Sequence, residues 1–181
     1  MQVLAEYEIP FLHPLVVHFP VVLVLLGGAA AGLYLVLGRG VWRRAALVLF
    51  VLGALSAWAA AETGGRLYQA VEGDPVVEDI IDGHRAAAAW TVWTSALSAF
   101  VFAALSVVAL LRRPAAPPDE EAAAPTRRRW WPGRAANRRG GPSQREPMWG
   151  RLLGALPALV AAALVAYTAH LGGLMVWGVP R

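Results

Sequence analysis

Four histidines, His13, His18, His84 and His170, are the side chains of this chain best suited both to hold a metal and to move a proton near neutral pH. Few others compete with them. There is no Cys, and every basic residue other than histidine is Arg. The absence of Cys excludes disulfides, thiolate metal sites, iron–sulfur ligation and covalent haem attachment through CxxCH. What remains open to imidazole is axial ligation of a non-covalent haem, a small metal site, proton transfer, or plain hydrogen bonding. Which of these is possible depends on where the four rings are held.

The holding elements are long apolar runs. Of 181 residues 57% are hydrophobic and only 15% charged, a balance too apolar for an average soluble domain. Runs over residues 14–37, 41–61, 86–111 and 152–177 each reach the ~20 residues that cross a bilayer core. Backbone groups in lipid must be satisfied within the segment, so all should be helices. The predicted architecture is all-α: a transmembrane four-helix bundle, up-down-up-down. Dense small residues, such as Gly27 to Gly32 and Ala161 to Ala163, permit the close helix approach that drives association in lipid.

The connections set the direction. The first is tight and basic, with Arg39, Arg43 and Arg44. The second, 62–83, carries Glu72, Asp74, Glu78, Asp79 and Asp82 against Arg66 alone. The third, 112–151, holds ten Arg and is rich in Pro, Gly and Ala, which reads as a disordered cytoplasmic tether with Trp130 and Trp131 as interfacial anchors. A docking site for a partner subunit is the alternative for that loop. The positive-inside rule places the first and third connections in the cytoplasm, and both termini and the acidic loop outside. The chain then divides into helices 1–3 with the acidic outer loop (1–111), the Arg/Pro-rich loop (112–151) and helix 4 (152–181). The Arg residues sit beside apolar segments, so the net charge of +4 does not point to nucleic acid. The start of the chain is acidic, through Glu6 and Glu8, and does not read as a cleavable signal peptide.

In this topology all four histidines fall at the outer edge. At ~1.5 Å rise per residue, His18 lies ~6 Å and His170 ~10 Å inside their helix ends, while His13 and His84 are shallower. Pro20 removes a helical hydrogen bond and should loosen the turn holding His18. Irregular backbone at membrane depth needs protein or water beside it, so His18 is expected to face the bundle interior. Each histidine singly is explained by a hydrogen bond in the headgroup zone. His18 and His170 at matched depth on two helices suggest more, because ionisable groups inside a span are rare. Gly172 and Gly173 could leave room for a planar group beside His170, or serve ordinary helix packing.

The string His13-Pro14-Leu15-Val16-Val17-His18-Phe19-Pro20 resembles the signature of the DUF2231 family of bacterial four-span membrane proteins. Thr63-Gly64, His84 and His170-Leu171-Gly172-Gly173 extend the resemblance over most of the chain outside the third loop. Relatives carry fused Rieske or c-type cytochrome domains, which implies a redox setting at the outer face of a bacterial inner membrane. This chain has neither domain, so a redox partner would be a separate membrane or periplasmic protein.

The leading expectation is therefore a membrane electron-transfer protein, or redox-complex subunit, with a bis-His haem b. His18 and His170 are the expected iron ligands. His84 and His13 form the next pair, as a second ligand set or near the propionates, and Arg85 is a candidate for pairing with a propionate. The alternatives are a cofactor-free accessory subunit of a respiratory or photosynthetic complex, and a small histidine metal site. An enzyme with its own chemistry is least supported, since no span carries an acid–base pair; Glu62 is the one carboxylate near the histidine layer.

Overall fold

The computed structural model describes residues 13–71, 78–112 and 146–177. Its elements are α1 (His13–Val16), α2 (His18–Leu37), α3 (Gly40–Val71), α4 (Glu78–Leu111) and α5 (Met148–Trp177). Four apolar spans, His13–Leu37, Gly40–Gly65, Ile80–Leu111 and Met148–Met175, are long enough to cross a membrane. Each of the four long helices packs on two others: α2 on α3 and α5, α4 on α3 and α5. The result is a closed antiparallel ring.

The helix ends differ from the sequence reading in two respects. The acidic segment 62–83 was expected to be a loop. Instead α3 runs on to Val71 and α4 begins at Glu78. Nothing between Glu62 and Val71 is a helix breaker except Gly64 and Gly65, and a helix pays only about 1 kcal/mol for each glycine. The last six residues of the third connection, 112–151, are structured: α5 starts at Met148, and Glu146 is fixed by contacts described below. The disorder expected for the rest of that loop lies outside the described residues, as do Trp130 and Trp131.

The α2–α3 turn is tight because Gly38 takes φ 64°, a left-handed conformation open to glycine, and its N–H closes on Tyr34 O. Close packing follows from small residues. Gly28 lies against Ala162, and a Cβ on Gly28 would come within 2.7 Å of that methyl. Gly27 receives the Phe50 ring, Gly53 receives Val24, and Gly154 receives Phe102.

The core is uneven along its length. Its large buried side chains, Tyr34, Phe50 and Phe102, gather in the half of the bundle that contains the α2–α3 turn. Phe50 and Phe102 stack with centroids 6.2 Å apart, and Tyr34 meets Phe102 edge-on at 5.9 Å. In the other half the buried residues are small: Val24, Ala57, Ala60, Ala87, Thr91, Ser95, Ala161 and Val165. The histidines are at that end.

Candidate functional site

Two of the four histidines turn into the bundle. His13 is the first residue of α1, and α1 packs on α3. Its Nδ1 stands 3.0 Å from Thr63 Oγ1. The Thr63 hydroxyl already donates within its own helix, to Ala60 O at 3.0 Å and Ala59 O at 3.2 Å. With its hydrogen on either carbonyl it accepts from His13, and Nδ1 then carries the proton. Gly64 makes this possible. A Cβ there would sit 2.8 Å from His13 Cε1, in the space the ring occupies.

His84 repeats the arrangement across the bundle. It lies in the second turn of α4, and its Nδ1 donates to the carbonyl of Thr168 at 3.0 Å. A carbonyl only accepts, so this ring too is fixed with its proton on Nδ1. Gly172 faces the ring, with a built Cβ 3.4 Å from His84 Cε1. Below it, Thr91 Oγ1 and Thr168 Oγ1 approach to 3.3 Å while each donates one turn back, to Ala87 O and Leu164 O. Both rings are half-buried. In the neutral state each presents an unprotonated Nε2 whose lone pair is not used by the hydrogen bond that holds the ring.

His18 and His170 behave otherwise. The matched depth expected for them agrees with the helix register. From the Gly28–Ala162 contact, ~15 Å back along α2 and ~12 Å on along α5 bring them to nearly one level. Their facing does not agree: both are exposed. The buried stripe of α2 runs Pro20, Val24, Gly27, Ala31 and Tyr34, and His18 lies roughly opposite it around the helix. The helix does break where Pro20 predicts, at Val17, where a turn separates α1 from α2. The irregular turn is satisfied locally instead of by the interior: His18 Nδ1 donates to Pro14 O at 2.6 Å. Arg85 and Glu62 are also exposed. The space that Gly172 leaves is taken by His84, and Gly173 has nothing within 4 Å of a built Cβ.

Sequence reasoning missed Thr63 and Thr168 as the groups that orient the imidazoles. Thr63 was visible as a hydroxyl beside a glycine at a helix end. Thr168 acts through its backbone carbonyl, which no residue type announces.

The opposite end holds a second polar cluster. Arg43 pairs with Glu146, and Tyr34 donates to the same carboxylate. Arg151 Nη1 reaches Leu35 O at 3.0 Å, and its side chain packs over Gly38. Four residues from three parts of the sequence thus close the Arg-rich end around the α2–α3 turn.

Fold and spans together define a multi-pass helical membrane protein, with the half-buried His13 and His84 near one end. The chain belongs to the family described as a predicted membrane protein (DUF2231), whose model matches residues 9–179. Comparison with curated proteins and with solved structures returns no match.

Proposed function

We propose that this protein is a membrane electron-transfer protein, or a subunit of a redox complex, that holds a b-type haem between His13 and His84. The observation that carries the reading is the identical setting of the two rings. Each donates Nδ1–H to an oxygen of a neighbouring helix and leaves Nε2 for a ligand bond, the arrangement metal-ligating histidines usually have. The donor set decides the kind of group. Among the described residues no three His, Cys, Asp or Glu side chains come together as metal ligands. A porphyrin brings its own equatorial nitrogens and asks the protein only for axial imidazoles. The small residues of that half, Ala57, Ala60, Ala87 and Val165, suit a broad flat group better than aromatic ones would.

When bound, the haem would supply one-electron transfer. The chain's own residues do the rest. Thr63 and Thr168 hold the ring tautomers, Gly64 and Gly172 give the rings their places, and the apolar helices exclude water. We further propose that the site faces the outer side of a bacterial inner membrane, because Arg39, Arg43, Arg44 and Arg112 lie at the opposite end. A soluble or peripheral redox partner would meet it there.

The visible spectrum of the purified protein, oxidised and reduced, tests this reading. The expected result is a Soret shift with sharp α and β bands on reduction, abolished in His13→Ala and in His84→Ala and kept in His18→Ala and His170→Ala. A featureless spectrum after expression with ample haem would sink the proposal and leave a cofactor-free accessory subunit. Loss of the bands only in His18→Ala and His170→Ala would return the ligands to the outward-facing pair.

A further inference from the structure

The Arg-rich end carries more positive charge than it neutralises. Arg39, Arg43, Arg44 and Arg151 gather there, and among the described residues Glu146 is the one carboxylate at that end. Glu146 is engaged by Arg43 and Tyr34. Arg151 gives Nη1 to the Leu35 carbonyl, a bond that holds the guanidinium in place without cancelling its charge. Arg39 and Arg44 are exposed, and their side chains make no ion pair or hydrogen bond with a described residue.

The charges border the α2–α3 turn. Arg39 lies within it, between Gly38 and Gly40. A Cβ on Gly38 would meet Arg151 Nη1 at 3.2 Å, and one on Gly40 would meet Arg43 Nη2 at 3.9 Å. The two glycines thus let guanidinium groups lie close against the turn. One span ends at Leu37 and the next begins at Gly40, so the turn stands at the level of the lipid headgroups.

An apolar track leads away from Arg44. Val41, Arg44, Val48, Leu52 and Leu55 are all exposed and follow one another at helical spacing on α3. From Arg44 to Leu55 is ~16 Å, about half of a ~30 Å hydrocarbon core. One face of α3 therefore offers a cation at headgroup level and apolar surface down to the bilayer middle, the dimensions of a single leaflet.

We propose that this face holds an anionic phospholipid, with its phosphodiester against Arg39 and Arg44 and an acyl chain along Val48, Leu52 and Leu55. A guanidinium suits the head, because it binds two phosphate oxygens through parallel N–H bonds. The surplus charge disfavours a zwitterionic lipid, whose ammonium would meet the same arginines. The apolar track ties the site to a lipid in preference to free phosphate. The site lies at the end of the bundle away from the histidines and does not rest on a bound haem.

The full-length protein in detergent is titrated with phosphatidylglycerol or phosphatidylcholine, and bound lipid is counted by native mass spectrometry. Phosphatidylglycerol should bind more tightly, and its affinity should fall roughly fivefold for each arginine removed in Arg39→Gln and in Arg39→Gln/Arg44→Gln. Arg112, exposed at the end of α4, is the control at the same end of the bundle. Arg112→Gln should leave the affinity unchanged. An equal loss in Arg112→Gln would overturn the site, because the arginines would then act only as a diffuse field. Equal affinity for the two lipids would overturn it too. So would glycerol phosphate competing as well as the intact lipid, since the acyl chains would then contribute nothing. Arg39 and Arg44 have no described partner to lose, so the double variant should keep the parent unfolding temperature. Arg44→Gln alone takes its place if the double variant does not elute as a monodisperse helical protein.

Discussion

His13 Nδ1 stands 3.0 Å from the Thr63 hydroxyl, which also lies within hydrogen-bond distance of the Ala60 and Ala59 carbonyls of its own helix. With the Thr63 hydrogen on a carbonyl, Nδ1 is the donor and Nε2 of His13 is free. Thr63→Val keeps the shape and removes the acceptor, and Thr63→Ser keeps the acceptor. Haem affinity should fall about 10- to 100-fold in Thr63→Val and stay near the parent value in Thr63→Ser, as removal of an orienting partner commonly does. Titration of the apoprotein with haem, followed at the Soret band, measures both. Equal affinity in the parent and Thr63→Val would remove the orienting role.

The two glycines beside the rings predict an asymmetry. Gly64→Ala drives a methyl to 2.8 Å from His13 Cε1, whereas Gly172→Ala meets His84 Cε1 at 3.4 Å. Overpacking of the first kind costs about 1–3 kcal/mol. Gly64→Ala should lower the unfolding temperature in detergent clearly more than Gly172→Ala does, and should also weaken His13-dependent haem binding. The reverse order would contradict the ring positions.

Gly28 and Ala162 predict a rescue. A methyl on Gly28 would stand 2.7 Å from the Ala162 methyl, where α2 crosses α5. Gly28→Ala should destabilise the bundle by about 1–3 kcal/mol. Adding Ala162→Gly should recover much of that loss, because it vacates the colliding position. Simple additivity of the two changes in a double-mutant cycle would mean that the helices do not meet there.

At the other end, Glu146 neutralises an Arg43 side chain that is only 9% exposed and also accepts from Tyr34. Glu146→Ala leaves that guanidinium without its acid. Full burial would make this cost 3–5 kcal/mol, but Glu146 is 22% exposed, so solvent reduces the figure to about 1–3 kcal/mol. Glu146→Ala combined with Arg43→Met should be more stable than Glu146→Ala alone. Thermal unfolding of the purified variants in detergent checks the order.

The spans were legible because hydrophobic length has one reading in lipid. That the histidines share one end was legible because rise per residue is constant; the split into a deep and a shallow pair was not, since His84 meets Thr168 and Gly172 on either side of His170. Facing was not. His18 and His170 sit at the right depth, but their side of the helix is set by which residues form the buried stripe, and in helices apolar all round the sequence gives little contrast between faces. Pro20 correctly located the break at Val17 and misled about its consequence, since the irregular turn takes its hydrogen bond from His18 itself. Thr63-Gly64 and Gly172 were visible only as parts of a family resemblance; the structure gives each a partner, His13 and His84. The continuation of α3 to Val71 was missed because acidic composition suggested a loop where helix propensity was intact.

The Arg43–Glu146 pair has a mechanical consequence. Residue 146 is the point where the long Arg-rich connection joins the bundle, two residues ahead of α5. A protein or lipid surface that draws on that connection pulls first on Glu146. The load then passes to Arg43 and Tyr34 at the α2–α3 turn before any of it reaches α5. The pair acts as a clamp at the point where the chain enters the bundle, tying the start of α5 to the α2–α3 turn.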